Sequence, residues 1–371
     1  MAEKGFRVET DDPPSHGSGG AYASNAACIE EIYRRLRAAR LPLIWIGSGI
    51  SYENQRSAVK LAKTLCACVD TPASKNAFGI TRAYAESGMH WLSLGGLQEK
   101  VDTLVFWGCD LARKYPRFWE RFVKNGRVQR LVNVNSLLPA ADNEVVLNLP
   151  INPQLCLEIL TQLRLMNKNQ AVAASPLLHA LFTAIHASRY GCFIFDPTQK
   201  ACHPVTLRQA FQLIQEMNDT REERWFGLLL ERGVNATGAS TALLLETGYP
   251  GAVRFVENSA RFSSLEWSAE YLIDNEETDL VVQVGQVDSQ IQDKLIGKIE
   301  QNPQKMGYIV LDSNPPVSAQ AAWLPVKPFG LNSGGTALRM DGLPIPIRPV
   351  FDSPGWELTE ALERLAGEVS L

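Results

Sequence analysis

Short, almost wholly apolar runs recur along this chain, and several of them stop abruptly at glycine. Leu41-Pro-Leu-Ile-Trp-Ile46 runs into Gly47-Ser48-Gly49, Thr103-Leu-Val-Phe-Trp107 into Gly108, and Asp279-Leu-Val-Val-Gln-Val284 into Gly285. Further runs are Leu131-Val-Asn-Val134, Val145-Val-Leu147, Phe226-Gly-Leu-Leu-Leu230 and Tyr308-Ile-Val-Leu311. Helical spacing separates them: Ile29, Ile32, Tyr33 and Leu36; the stretch from Tyr52 to Leu65; Phe118, Phe122 and Val123; about Ala236 to Thr247; and Ile291, Leu295 and Ile299. Strands apolar on both faces must be covered on both faces, which alternating helices around a parallel sheet achieve. The expectation is an α/β protein. A strand leaving such a sheet at glycine can turn tightly at the carboxyl edge, where open α/β sheets bind ligands.

The order repeats. Asp102-Thr-Leu-Val-Phe-Trp-Gly108 stands beside Asp279-Leu-Val-Val-Gln-Val-Gly285, and an acidic residue follows each, Asp110 and Asp288. Any two doubly wound sheets share this grammar, but the match supports two similar doubly wound, Rossmann-like lobes offset by about 180 residues. The expected boundaries are a flexible, polar arm at 1–24, a first lobe at 25–168 and a second at 169–325. The linker-like composition around Asn167 to Ser175 sets the division. A Pro/Gly-rich segment at 326–371, with Asn332-Ser-Gly-Gly-Thr336 among five prolines, should wrap over the lobes and end in a helix about Glu357 to Leu365.

A length of 371 residues suits two to three domains of about 150 residues each. With 40 acidic against 36 basic side chains, the net charge of -4 offers no general attraction for nucleic acid or an anionic membrane. No apolar run approaches the length of about 18 that spans a bilayer. The first twenty residues lack the apolar core of a signal peptide, so a cytoplasmic location is expected. The seven cysteines, at 28, 66, 68, 109, 156, 192 and 202, form no CxxC, and the five histidines no HxxxH. Buried thiols in a reducing compartment fit better than disulfides or a locally encoded metal site.

Gly47-Ser48-Gly49, between strand and helix, suits either an anion cradle or a plain tight turn, and the turn is preferred because Tyr52 breaks a GxGxxG spacing. Asn235 to Ser240 opens a helix with small residues, and Asn235 and Thr237 are read as its caps. Cys109-Asp110 sits at a strand end without a placeable base, so a structural thiol is preferred over a nucleophile. Cys202-His203 lies in an extended segment whose adjacent side chains point apart. Arg113 to Arg130, basic with Tyr115, Phe118 and Trp119 interleaved, matches a polyanion-binding surface, although a solvated amphipathic helix is preferred.

Several segments taken together resemble the B-type subunit of formylmethanofuran dehydrogenase, in the molybdopterin oxidoreductase superfamily. They are Gly49-Ile-Ser-Tyr-Glu53, Thr103-Leu-Val-Phe-Trp-Gly-Cys-Asp110 with Tyr115-Pro-Arg117, Arg232-Gly-Val-Asn-Ala-Thr-Gly238 and Glu246-Thr-Gly-Tyr-Pro-Gly-Ala-Val253. Ser333-Gly-Gly-Thr-Ala-Leu-Arg-Met-Asp-Gly342 through Ile347-Arg-Pro-Val350 completes the set. The resemblance covers about residues 40–352 and implies lobes of the molybdopterin oxidoreductase type. Redox-active members carry an N-terminal cysteine cluster for a [4Fe–4S] centre, and a cysteine or selenocysteine followed by His at the metal, shortly after an aspartate matching Asp70. Here residues 1–27 hold no cysteine, and Asn76 and Ala77, beside Lys75, stand at the two ligand positions. No cysteine occurs between 69 and 108, so a shifted alignment does not restore a soft donor.

The departures make the chain similar to the B-type subunit of the bacterial formyltransferase/hydrolase complex of one-carbon metabolism. That resemblance implies a non-catalytic structural role without molybdopterin, metal or [4Fe–4S] cluster, and with no catalytic residues of its own. Its partners would be a formyltransferase, an amidohydrolase-like chain and a chain like the family's C-type subunit. They would move a formyl group from formyl-tetrahydromethanopterin to methylofuran and hydrolyse the product to formate. The carrier's tail would need a path between catalytic chains, which leaves room for a contact with methylofuran. Bulky Phe78 and charged Lys75 would fill the former cofactor cleft. Two other readings remain open from sequence: an active tungsten or molybdenum formylmethanofuran dehydrogenase chain, and a nucleotide-binding module with a dinucleotide between the lobes.

Overall fold

The computed structural model describes residues 20–71, 74–139, 145–220, 222–230, 233–257 and 259–369, with side chains described outside 20–27, 74–78, 116 and 145–146. In chain order the strands are β1 (Pro42–Ile46), β2 (Cys68–Asp70), β3 (Thr103–Trp107), β4 (Arg130–Val134), β5 (Val145–Leu149), β6 (Tyr190–Phe195) and β7 (Arg224–Leu229). They continue as β8 (Val253–Val256), β9 (Ser259–Phe262), β10 (Leu280–Val284), β11 (Gly307–Asp312), β12 (Ala322–Pro325), β13 (Gly335–Leu338) and β14 (Pro344–Ile347). A seven-stranded sheet runs β12-β11-β10-β1-β2-β8-β9, a five-stranded sheet runs β5-β4-β3-β6-β7, and β13 and β14 form a separate hairpin. Pairing is parallel within the five-stranded sheet and from β12 to β2, with β8 and β9 added antiparallel.

The alternation within each apolar run explains the layers. In the large sheet Ile44, Ile46, Val282, Val284 and Ile309 face helices Gly20–Ala38, Tyr52–Thr64, Ala236–Thr247 and Leu358–Val369. Leu43, Trp45, Val281, Tyr308 and Val310 face helices Ala269–Asp274 and Ser289–Gln301 on the other side. In the small sheet Val105, Trp107, Phe193 and Phe195 pack with helices Cys156–Asn167, Pro176–His186 and Pro204–Thr220. Leu104, Phe106, Cys192 and Ile194 pack with Leu94–Lys100 and the segment 111–124. Every face of both sheets carries its own core, as near-continuous apolar strands demand.

Sheet membership divides the chain differently from the expected boundary at 168. That boundary falls inside the five-stranded sheet, between β5 and β6, and the large sheet takes β1 and β2 from the beginning and β8 to β12 from the end. The small sheet is therefore an insertion. The linker-like stretch around Asn167 to Ser175 connects helices Cys156–Asn167 and Pro176–His186 within one crossover, so its polarity reflects surface exposure and not a domain joint. Of the expected arm at 1–24, residues 1–19 lie outside the described ones, while the first helix already begins at Gly20.

The internal repeat has a structural counterpart with a permuted order. Setting β10 on β3 brings β11, β12, β1 and β2 onto β4, β5, β6 and β7, because both sheets share the order around these strands. The two matched aspartates then do the same work. Asp279 accepts from the amides of Arg40 and Leu41 at 2.7 and 3.0 Å, ahead of β1. Asp102 accepts from the amides of Arg189 and Tyr190 at 2.9 and 3.1 Å, at the start of β6. Each main-chain carbonyl also receives the amide that opens the next strand, Gly307 at 2.8 Å and Arg130 at 3.0 Å. Asp110 and Asp288, the acidic residues that follow, cap helices at Arg113, and at Gln290 and Ile291.

The C-terminal segment straps the two lobes together. Helix Leu358–Val369 lies against Tyr52–Thr64 and donates from Thr359 Oγ1 to Asn54 Oδ1 at 2.6 Å. After β13, Met340 packs on the core of the small sheet, and the Asp341 carboxylate accepts from the Leu94 amide at 2.8 Å. Among the described residues no helix is long and apolar enough to cross a membrane.

Candidate functional site

The carboxyl edge of the large sheet, between β10 and β1, is where the chain turns from one direction of strand succession to the other, the usual ligand position of such sheets. Here the loop Gly47-Ser48-Gly49 has its three amides engaged by backbone carbonyls: Gly47 to Val284, Ser48 to Gln286 and Gly49 to Val234, each at 2.7 Å. Gln286 returns its amide to Ser48 at 2.9 Å. An anion cradle needs free N–H groups pointing at the ligand, and these point at protein. A Cβ on Gly47 would stand 2.2 Å from the Gln286 oxygen, so the two loops lie in direct backbone contact.

The helix that follows is closed in the same way. Ser51 Oγ caps it at the Asn54 amide, 3.1 Å away. The Glu53 carboxylate in its first turn accepts from the Thr336 amide at 2.9 Å and hydroxyl at 2.6 Å. Burial pushes the Glu53 carboxyl up, but the Thr336 hydroxyl and amide outweigh it and hold it below the usual range. An anionic ligand at this helix end would meet a carboxylate already there.

Asn235 joins the pieces, and not as the helix cap expected from sequence. It occupies the cap position of Ala236–Thr247 in the left-handed region, φ 60°, without a side-chain bond to that helix. Its buried amide instead donates to Ile50 O at 2.9 Å, Gln55 Oε1 at 3.3 Å and Thr336 O at 3.4 Å, and accepts from the Leu338 amide at 2.7 Å. Gln55, fully buried, donates to Asn235 O at 2.9 Å and Gly47 O at 3.4 Å. Three segments far apart in the chain, around Gly49–Glu53, Gly233–Gly238 and Ser333–Gly342, thus close on one polar node. No local sequence pattern pairs them.

The second sheet's equivalent edge, between β3 and β6, is also self-satisfied. Asp196, fully buried, accepts from the Thr198 hydroxyl at 2.6 Å and from Lys114 Nζ at 3.2 Å, and Lys114 also donates to Thr198 Oγ1 at 2.6 Å. Cys109 donates to Ile194 O at 3.1 Å and Cys202 to Trp107 O at 3.1 Å. Burial pushes the Cys109 and Cys202 thiols well up, and that of Cys156 to about 11. A thiol held protonated by burial is a poor nucleophile. His203, next to Cys202, is exposed and only accepts from the Val205 amide at 3.4 Å, so the two do not form a dyad.

The region expected from the resemblance to match the family's metal-ligand position follows Asp70, where the chain leaves the large sheet. This buried carboxylate accepts from the amides of Ala252 at 2.9 Å and Ala269 at 2.6 Å, fastening β2 to a left-handed turn at Ala252 and to a helix start. Lys75, Asn76 and Ala77 lie in the first turn of helix Ser74–Ser87; their side chains, and the expected filling by Lys75 and Phe78, lie outside the described residues. The helix belongs to the inserted lobe: Gly79 abuts Pro204, and Tyr84 stacks on Phe211 with ring centroids 5.0 Å apart. Among the described residues no three His, Cys, Asp or Glu side chains gather to hold a metal. A carboxamide and a methyl group offer neither the thiolate donor nor the proton-transferring imidazole that redox-active relatives are expected to use there.

The strap is expected to loosen in acid. Burial raises the Asp341 carboxyl, but the Arg339 guanidinium and the Leu94 amide outweigh it and hold it below its ordinary value. A depressed pKa gives stability that is full above the unfolded value of about 4 and lost as pH falls through the lower folded value. Acidification below about pH 4 is expected to free the strap, seen as new proteolytic cleavage at 331–354. Asp341→Asn should show that cleavage already at neutral pH; equal resistance in both proteins would contradict the assignment.

No family model matches the chain. The sequence is 27% identical over 347 residues, 88% of this chain and 78% of the relative, to the B-type subunit of tungsten-containing formylmethanofuran dehydrogenase 2 of Methanocaldococcus jannaschii. It is 26% identical over 355 residues, 90% of this chain and 80% of the relative, to the protein of that name from Methanococcus maripaludis. Among solved structures it matches a chain of the formyltransferase/hydrolase complex from Methylorubrum extorquens in complex with methylofuran. The TM-score is 0.77 at 18% identity, covering 95% of this chain and 97% of that one. The resemblance read from the motifs holds along most of the chain, and the α/β fold is shared with the solved chain.

Proposed function

Starting from a chain similar over most of its length to the B-type subunit of formylmethanofuran dehydrogenase, we propose that it is a non-catalytic structural subunit of a formyltransferase/hydrolase complex in the cytoplasm. The partners are a formyltransferase, an amidohydrolase-like chain and a chain like the family's C-type subunit. They transfer formyl from formyl-tetrahydromethanopterin to methylofuran and hydrolyse formyl-methylofuran to formate. This chain carries no molybdopterin, metal or [4Fe–4S] cluster and no catalytic residue, and Lys75, Asn76 and Ala77 mark the position where redox-active relatives hold their metal.

The observation that carries the reading is the self-satisfied carboxyl edge. The Gly47-Ser48-Gly49 amides, Glu53, Gln55 and Asn235 are bound to other parts of the chain, while the doubly wound architecture is kept. An oxidoreductase needs polar groups directed at a cofactor; a scaffold needs the lobes held rigidly, and these bonds do that. The same bonds weigh against a nucleotide between the lobes. Purification of the tagged, full-length chain from its native host should recover formyltransferase- and amidohydrolase-like chains in fixed ratio, with formyl-transferring activity in the complex. Recovery as a lone, stable monomer would overturn the proposal.

A further inference from the structure

The basic segment that the sequence offered as either a polyanion-binding surface or a solvated helix is organised in the fold. Its elements are a turn of helix at Leu111–Lys114, a second at Pro116–Phe118 and a π-helical stretch Trp119–Lys124. Of the aromatic residues interleaved with the charges, Tyr115, Phe118 and Trp119 are buried in the core of the small sheet with Val123, and Phe122 is partly buried against it. What remains outside is Arg113, Arg117, Arg121, Lys124 and Arg127, all exposed. Residues 113–127 hold six basic side chains and one acidic, Glu120, a local charge of +5 in a chain of net charge -4.

The neighbouring cations are engaged and these are not. Lys114 reaches Asp196 at 3.2 Å and Arg130 reaches Asp102 at 3.5 Å. Between them, the five exposed cations meet no carboxylate among the described residues. Arg113, Arg117, Arg121 and Lys124 lie in the last turns of these short helical elements, where cations are favoured, and Arg127 extends the row beyond them. Like charges gathered without partners repel one another, and an opposite charge brought by another molecule removes that repulsion.

We propose that this stripe is a docking surface for an acidic segment of a partner polypeptide. Four of its five cations are arginines, whose planar forks pair with carboxylates through two parallel hydrogen bonds. Single-stranded nucleic acid is the poorer occupant, because it binds through exposed aromatic platforms and here Tyr115, Phe118 and Trp119 are buried and Phe122 is partly buried. This surface lies apart from the carboxyl edge of the large sheet, and the inference stands whether or not the chain proves to be catalytic.

The test uses the full-length chain and a fluorescein-labelled peptide of about ten glutamates, followed by anisotropy from about 0.05 to 0.5 M salt. Saturable binding at low salt is expected, falling steeply as salt rises. The variant Arg117→Gln/Arg121→Gln/Lys124→Gln should bind about tenfold or more weakly with a thermal midpoint little changed, since these exposed side chains meet no carboxylate among the described residues. Two results would overturn the inference: a variant that binds as the parent does, or no binding by the parent at low salt. An oligonucleotide of equal charge bound as tightly as the peptide would also overturn it, by showing a general polyanion surface.

Discussion

Gly47→Ala is expected to lower the thermal midpoint by about 5 °C or more, from a single added methyl group. The Cβ would stand 2.2 Å from the carbonyl oxygen, 2.6 Å from the carbonyl carbon and 2.8 Å from the nitrogen of Gln286. These are backbone atoms, so no side-chain rotation relieves the overlap. The Gly47 and Gln286 loops must move apart, and the Ser48–Gln286 bonds at 2.7 and 2.9 Å break with them. Overpacking of this kind costs about 3 kcal/mol or more. Gly95→Ala is the internal control: it lies in helix Leu94–Lys100 with no atom within 4 Å of its added methyl, and should leave stability unchanged or raise it by about 0.5 kcal/mol. Calorimetry on both variants decides the matter. Equal midpoints would mean the closed carboxyl edge contributes nothing to the fold.

Asn235→Asp should be comparably damaging although it changes one atom type. The amide nitrogen that donates to Ile50 O, Gln55 Oε1 and Thr336 O becomes an oxygen facing three oxygens, in a residue only 5% exposed. The buried carboxylate has no cation within the node, and the expected loss is about 3 kcal/mol, greatest at neutral pH and eased on acidification as the carboxyl takes up a proton. Asn235→Gly separates this from backbone strain. Glycine adopts φ 60° freely, so if strain governed the position the variant would gain stability; with the hydrogen bonds governing, it loses stability. Denaturant unfolding across pH for the three proteins checks both signs.

Much of the fold is legible because both faces of the strands are buried. β1, β3, β10 and β11 emerge within a residue or so of the apolar runs that announce them, and helix Ala236–Thr247 lies where small residues and apolar spacing put it. β6 went unnamed despite its run Cys192-Phe-Ile-Phe195, and with it the fact that the chain returns to the small sheet after the apparent linker. Chain order suggested two lobes in succession; pairing of β1 with β10, whose residues Ile44 and Val282 are far apart in sequence, makes one lobe an insertion in the other. No local pattern encodes such a closure. Even so, the matched aspartates, Asp102 and Asp279, located the equivalent strands correctly.

The candidate site was legible in composition and not in geometry. That no cysteine lies close to position 76 along the chain follows from the cysteine positions alone. Which groups close the carboxyl edge does not, because Asn235 before a helix reads locally as a cap, and its actual partners at Ile50, Thr336 and Leu338 are set by tertiary packing. Cys109 and Cys202 illustrate the reverse case. Sequence position alone leaves a nucleophile open at Cys109 and prefers a structural thiol; the burial that settles that preference is a property of the packed sheet.

The most direct trial of the account is the tungsten, molybdenum and iron content of the full-length chain with whatever partners it carries, isolated from its native host and read by mass spectrometry beside its pterin content. A chain whose carboxyl edge is filled by its own residues predicts all three metals far below one equivalent, no pterin, and formyl transfer at full rate. One equivalent of tungsten or molybdenum travelling with a pterin would contradict it.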